Sequence, residues 1–465
     1  MKSADVTALR RDLAGQVLLP DDAGYDGLRT VWNAMVDRRP AVIVRCASAS
    51  AVATAIRFAR AHGLEIGVRC GGHSVAGMSV PDGGLMLDLT PMAAVRVDPE
   101  RRRAWAQGGA LLGAVDRATQ PFGLATTAGN VSHTGVGGLT LGGGMGWLAR
   151  RHGLTCDNVV SFELVTADGE RVRATDSDNS DLFWGLRGGG GNFGVVTDFE
   201  FRLHHVGTAA LVADLYYPAQ DAATAMRAWR DLIPYAPRRA TLTAWAGTAG
   251  PWPFLPSELH HRSVVSVGLV WVGDPDEGRE QVTALRAATP AAAEWIRELS
   301  YLELQTMDDD REGHHQRRYW KGHYLRALDD AAIDAFVARG APAGTDEPAL
   351  LPAASLQAYG GAIADVADDD TAFAHRGALV EFVASAAWTD PAEDEIRMAN
   401  ARSFGAAIEP FASGAYVNAL ADEGEQGVRR AYGAAKLARL GVIKHRYDPN
   451  NVFHLNHNIP PITGG

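Results

Sequence analysis

A histidine placed directly after a pair of glycines is the first group in this chain whose position suggests chemistry. In Gly67-Val-Arg-Cys-Gly-Gly-His-Ser74 the apolar residues Leu64, Ile66 and Val68 read as a buried strand. The glycines that follow let backbone amides approach a bound phosphate closely, and His73 lands just beyond that turn. Two later stretches, Gly135-Val-Gly-Gly-Leu-Thr-Leu-Gly-Gly-Gly-Met-Gly146 and Arg187-Gly-Gly-Gly-Gly-Asn-Phe-Gly-Val-Val-Thr197, are also dense in glycine. Each glycine costs conformational entropy on ordering, so this density points to a large ligand pressed against backbone. From Gly129 onward a helix N-terminus or glycine nest can hold a pyrophosphate without lysines. No GxGxxG with an acidic residue in register follows a strand, which disfavours a nicotinamide-binding Rossmann domain. The pairs His204-His205, His260-His261 and His314-His315 have no metal partners at ligand spacing, so no metal is expected. Cys46, Cys70 and Cys156 form neither a disulfide framework nor a zinc pattern, and Cys70 and Cys156 read as small buried thiols.

The elements that must position these residues are partly legible. A strand over 41–45, an N-cap at Ser48, a helix carrying Val52, Ile56 and Ala59, and the strand into Arg69 make a βαβ unit. Its glycine turn lies at the carboxyl end of a strand, where open α/β sheets place ligands. Strands are expected over 85–89, 95–97, 104–106, 161–166 and 195–203, with a helix opening after Gln107. Beyond about residue 207 the composition changes. Strand-like runs at 210–217, 241–246, 263–272, 355–359 and 379–387 alternate with helical segments around 220–233, 277–288, 328–339 and 391–411. That pattern predicts a sheet with helices covering one face. The loop over 247–262, with Pro251-Trp-Pro-Phe-Leu-Pro256, is a candidate rim or lid.

A length of 465 residues predicts two or three domains. Forty-four Lys and Arg against 55 Asp and Glu give a net charge of -11, which argues against nucleic acid as a partner. The N-terminus, Met1-Lys-Ser-Ala-Asp-Val, lacks an apolar signal core, and no apolar run is long enough to span a bilayer. A soluble, cytoplasmic protein without a membrane partner is the expectation.

Together these stretches resemble the flavoproteins of the vanillyl-alcohol-oxidase superfamily, specifically its berberine-bridge-enzyme-like group. The resemblance runs from Pro20-Asp-Asp-Ala-Gly-Tyr-Asp26 to Tyr447-Asp-Pro-Asn-Asn-Val-Phe453. It implies an α+β fold, with a two-subdomain PCMH-type FAD-binding domain built from residues 1–206 and, after the chain returns near Tyr416, from 416–465. Residues 207–415 would form a substrate domain whose antiparallel sheet, covered by helices, roofs the flavin ring. The group attaches FAD covalently through a histidine placed as His73 is. Many relatives make a second bond through a cysteine four residues before the first glycine of Gly-Val-Gly-Gly. Val131 stands there, so a single link is expected. The resemblance implies FAD contacts from Val68, Arg69, Gly71, Gly72 and Ser74 around the histidine. It adds Gly129, Thr134, Gly135, Gly137, Gly138, Gly142, Gly143 and Gly146 from the second stretch, Val196 from the third, and Tyr416, Asn418 and Asn456 from the return.

A flavin oxidation needs a base for the substrate proton, a hydride-bearing carbon held against the ring, and an electron acceptor. Tyr416, in Ala-Tyr-Val-Asn-Ala419, matches the Tyr-x-Asn segment of relatives and is the first choice of base. It needs a cation or donor to lower its pKa from about 10, and Lys321 is the candidate. Ala419 departs from the second tyrosine of many relatives, and Tyr416 as an aromatic wall is the alternative. His457, where relatives commonly carry glutamine, is a second candidate base or a hydrogen-bonding group. His133 is expected at the ring edge or in a structural hydrogen bond, and Gln357 and Tyr359 are candidates for the substrate wall. The resemblance implies an FAD-dependent oxidase that removes a hydride from an alcohol carbon of a sugar or secondary metabolite and reduces molecular oxygen to hydrogen peroxide. Amine or C–C bond-forming oxidation, a dehydrogenase, and a flavin-binding protein without turnover are the alternatives. In the resembled group the residue before Gly-Val-Gly-Gly gates oxygen, valine going with oxidases and leucine with dehydrogenases. Thr134 has the size of valine, which favours oxygen.

Overall fold

The computed structural model describes residues 3–13, 16–341 and 347–463; Met1 and Lys2, at the start of the stretch read for a signal core, lie outside them. The βαβ unit is present. Val42–Arg45, Leu85–Asp88 and Ile66–Arg69 run parallel in that order, with Val17–Leu18 antiparallel at the edge. Ser48 accepts the Ala51 N–H and starts the helix Ala49–Ala61, whose Val52, Ile56 and Ala59 are buried against this sheet. A second, antiparallel sheet follows the order Val95–Asp98, Arg103–Gln107, Val195–Arg202, Val159–Val165, Arg171–Ala174.

The largest sheet has eight antiparallel strands. From edge to edge they are Ala293–Ser300, Ala209–Pro218, Ser263–Val272, Ala240–Thr248, Ala353–Ala358, Val380–Trp388, Arg317–Leu325 and Ala412–Gly414. Side chains alternate between its faces. In Ala209–Pro218, Leu211, Ala213, Leu215 and Tyr217 enter a core shared with the helices Ala222–Leu232, Pro275–Arg286, Asp330–Ala338 and Asp394–Ile408. Trp229, Phe336 and Phe404 complete that core; burying each such aromatic stabilises by about 1.5–3 kcal/mol before entropy is counted. Val212, Asp214 and Tyr216 of the same strand face a cavity instead. This is the α+β arrangement the sequence predicts, with helices on one face of an antiparallel sheet.

Three elements differ from the sequence reading. Ala293–Ser300 is an edge strand with charged residues on both faces, so it shows no apolar alternation. Arg317–Leu325 lies inside the sheet although Arg318 and His323, both buried, disguise it. The helix Gly424–Tyr447 escapes the periodicity reading because four glycines interrupt it, and its backbone breaks at Gly433, with φ 72°. Among the described residues no helix is long and apolar enough to cross a membrane.

Candidate active site

A cavity of about 1140 Å³ lies between the glycine-rich loops and the inner face of the eight-stranded sheet. Its floor depends on two loops meeting backbone to backbone. A methyl group on Gly71 would collide with the Gly135 amide nitrogen, and one on Gly135 with the Cys70 sulfur. His73 stands where these loops meet. Its ring stacks on Trp32, with centroids 4.9 Å apart, and its Nε2 lies 2.7 Å from Nδ1 of His133. Its Nδ1 lies 3.4 Å from the Thr134 hydroxyl. Burial, then the neighbouring His133, His314 and Arg318, push the His73 pKa down to about 2, so the ring is neutral. Ring nitrogens of His73, His133 and His314 fall within 4.8 Å of one another, so His314, which has no metal partner at ligand spacing along the chain, does have two histidines at that distance in space. Two of the facing nitrogens are engaged with each other.

The sheet supplies the opposite wall. Glu381 lines the cavity from the strand Val380–Trp388 and is almost completely buried. Burial raises its pKa to about 7, and a hydrogen bond from the Tyr359 hydroxyl, at 2.9 Å, opposes that rise only in part. The Tyr324 hydroxyl sits 3.0 Å from that of Tyr359. Beside them the Tyr416 oxygen accepts from the Gly144 N–H and from Asn418 Nδ2, both at 2.9 Å. Farther out, Tyr216, Trp245, Trp252, Phe254 and Trp295 pack on one another at the cavity edge, Phe254 and Trp295 stacked at 4.8 Å. The Pro- and Trp-rich loop thus contributes Trp252 and Phe254 to the wall.

The sequence and the coordinates have known counterparts. A family model described as an FAD binding domain matches residues 40–175, and one described as berberine and berberine-like matches 415–460. An FAD-linked oxidoreductase of Dictyostelium discoideum is 31% identical over 439 residues, covering 93% of this chain and 91% of that one. The chain belongs to the berberine-bridge-enzyme-like FAD-linked oxidoreductases. Two solved structures extend the likeness. The 6-hydroxy-D-nicotine oxidase of Arthrobacter nicotinovorans superposes with a TM-score of 0.83 at 28% identity, over 96% of this chain and 98% of that one. The glucooligosaccharide oxidase of Acremonium strictum, whose FAD is 6-S-cysteinyl and 8α-N1-histidyl, reaches 0.86 at 25% identity, over 98% and 100%.

The residues of this FAD-linked oxidoreductase fit such a cofactor. Asn130 Oδ1, Gln357 Nε2 and Asn456 Oδ1 are buried polar atoms without a protein partner, and all three residues line the cavity. A buried polar group left unpaired is costly, so a polar ligand is the natural partner. Of the sequence-derived site residues, Val68, Gly71, Gly72, His73, Ser74, Gly129, Thr134, Gly135, Gly137, Gly138, Val196, Tyr416, Asn418, Asn456 and His457 all line it. Gly142, Gly143 and Gly146 do not. They are glycines because a side chain would strike the Asn418 carboxamide, the Phe373 ring and the Ala128 carbonyl respectively. Arg69 also points away, toward Asp88 and the Thr30 carbonyl.

Lys321 is placed elsewhere too. Its ammonium donates to Asp422 and Glu423 at 2.6 and 2.7 Å. Burial opposes its charge, yet those carboxylates raise its pKa above the ordinary value. The strongest influences on Tyr416 are burial and Glu381, which raise its pKa; the Gly144 and Asn418 donors only oppose them. Lys321, held by Asp422 and Glu423, does not offset that rise, so the electrostatics run against a phenolate at Tyr416. Burial likewise lowers His457 to about 4, leaving a neutral imidazole. Cys70, at the cavity, is held up at about 11 by burial and stays a thiol. Sequence reasoning missed Glu381, Trp32 and His314. The available signal for Glu381 was one carboxylate in the otherwise uncharged run Val-Glu-Phe-Val-Ala-Ser-Ala-Ala-Trp388.

Proposed function

We propose that the chain is an oxidase that carries FAD on a single bond to His73 and takes a hydride from an alcohol carbon of a small molecule. The observation that carries this reading is one cavity with a neutral histidine on the glycine-loop wall and a half-ionising buried carboxyl, Glu381, on the sheet wall. FAD, when bound, supplies the hydride acceptor. Glu381 takes the proton of the substrate hydroxyl, since a pKa near 7 suits a base working at neutral pH. Tyr416, whose oxygen already accepts two hydrogen bonds, keeps its own proton and offers it to the substrate. Residues 1–206 and 416–465 hold FAD in this reading, and 207–415 form the substrate wall. Structural neighbours named as oxidases of 6-hydroxy-D-nicotine and of glucooligosaccharides are the reason to test both amines and sugars. Thr134 leaves space beside the ring for molecular oxygen as acceptor.

The test begins with acid precipitation. Yellow colour should stay in the pellet for the wild type and move to the supernatant for His73→Ala, and a flavin on any cysteine peptide would defeat the single link. Alcohols, aldoses and amines are then added anaerobically. Bleaching by an alcohol or aldose supports the reading, whereas bleaching only by amines replaces its substrate class.

A further inference from the structure

The hydrogen-bond chain around His73 sets its tautomer. Nε2 of His133 lies 3.4 Å from the main-chain carbonyl of Asp309, a group that only accepts, so His133 carries its proton on Nε2. Its Nδ1 is then a bare acceptor for the His73 Nε2–H at 2.7 Å. That leaves Nδ1 as the unprotonated nitrogen of His73, with the Thr134 hydroxyl, 3.4 Å away, as its donor. The loop bearing His133 is itself held, because Asp309 accepts from the Ser132 N–H and hydroxyl at 2.8 and 2.6 Å.

We propose that His133 is a positioning residue for covalent attachment of the cofactor, presenting Nδ1 of His73 as the nucleophile and taking the proton from its Nε2 as the bond forms. The proposal rests on the reading that FAD is attached at His73. The step balances: one bond forms, from His73 Nδ1 to the 8α carbon of FAD; one N–H and one C–H bond are lost; and the two protons and two electrons leave on molecular oxygen as hydrogen peroxide. Once Nδ1 is substituted, a proton retained on Nε2 would make His73 a buried cation. Trp32 stacks on the ring, and His314 and Arg318 face it along with His133, so among the described residues its named neighbours disfavour such a charge. The same surroundings hold His73 neutral in the free protein. His133 is the hydrogen-bonded acceptor through which that proton leaves, with His314 next to it at 5.4 Å between ring centroids.

The experiment compares wild type, His133→Asn and His133→Leu, each made as full chain under riboflavin starvation and then supplied with FAD. FAD binding is followed by absorbance, and attachment by flavin that stays with the chain after acid precipitation, across a range of pH. Asparagine can accept the hydrogen bond but not the proton. Both variants should bind FAD and attach it at least about 10²-fold more slowly than wild type at pH 7. Their rates should climb with pH, as hydroxide replaces the missing acceptor, while the wild-type rate stays flatter. Attachment by the asparagine variant at the wild-type rate would show that His133 only orients the ring, and would overturn the proton-acceptor role. If the leucine variant does not fold, the near-isosteric asparagine variant carries the test. Wild type without a flavin on the His73 peptide would defeat the underlying reading of the site, an outcome distinct from either variant result.

Discussion

Glu381 is a carboxyl that would ionise near 4.5 in water and is held at about 7 by burial. Between those values the unfolded chain releases a proton that the folded chain keeps. Stability from this group is therefore full below about pH 4.5 and falls as pH rises to about 7, by ~3 kcal/mol in all. Glu381→Gln removes the ionisation and should melt at a higher temperature than wild type at pH 8. The same variant should bleach its flavin about 10²–10⁴-fold more slowly under anaerobic substrate. Wild-type bleaching should speed up through pH 7 and level off, and the variant should lose that dependence; a variant that bleaches within a few-fold of wild type is incompatible with Glu381 as base. Tyr416→Phe, which loses a donor and not a base, should stay within about tenfold. Thr134 makes a separate prediction. Thr134→Leu should slow the return of yellow colour on mixing reduced enzyme with aerated buffer, while anaerobic reduction is nearly unchanged. Wild-type reoxidation that takes many minutes, with fast turnover only on a dye or quinone, would mark a dehydrogenase.

At the scale of elements, the helix Gly424–Tyr447 ties the C-terminal return to the glycine loops. Lys444 is fully buried near its end and donates to Asp448, to the Asn192 carbonyl and to the Phe453 carbonyl, at 2.7, 2.8 and 2.9 Å. Those bonds use all three ammonium protons. Asp448 in turn accepts the Val452 and Phe453 amides, both at 2.8 Å, and so folds the tail toward the cavity. Lys444→Met should cost about 3–5 kcal/mol, because it strands a buried carboxylate. A urea melt reads the loss. The variant should also hold FAD less firmly when combined with His73→Ala, since Asn192 and Asn456 line the cavity from the segments that Lys444 joins. A melt within 1 kcal/mol of wild type, by order of magnitude a surface effect, would contradict this account.

Over the whole molecule, the cavity exists only where two separately built walls meet. Bonds joining the two walls include Asn33 Nδ2 to the Arg318 carbonyl at 3.0 Å and the Ser132 hydroxyl to the Asp309 carboxylate at 2.6 Å. In the function proposed above, the glycine-loop wall holds the cofactor and the sheet wall faces substrate. Trp252 belongs to the second wall and lies 6.0 Å from Trp245 and 5.9 Å from Tyr216, ring to ring. Trp252→Ala should raise KM about tenfold with kcat nearly constant, the signature of lost binding shared by ground and transition states. A fall in kcat with KM unchanged would place the ring in the chemistry instead. Structural neighbours with one architecture are named for substrates as unlike as 6-hydroxy-D-nicotine and glucooligosaccharides, so the fold by itself does not name the substrate.

The βαβ unit around Ser48, the glycine loops and the strand-like run at 210–217 follow from interactions within a few residues, so the sequence by itself determined them. It also determined the family, because His73, the Gly-Val-Gly-Gly run and the Tyr-x-Asn segment are contiguous patterns. The strand Arg317–Leu325 was not legible, since its buried Arg318 and His323 are tolerated only through partners elsewhere: Glu312 for the first, the Gly405 carbonyl and Arg430 for the second. Lys321 shows the same limit. Nothing near it in the chain says that it will meet Asp422 and Glu423 instead of Tyr416. Tertiary structure alone decided that Glu381 faces the cavity, that burial lifts its pKa, and that His314 joins His73 and His133. Each of these depends on which distant strands and loops pack together, and the free energy of a charge depends on that packing far more than on its neighbours in sequence.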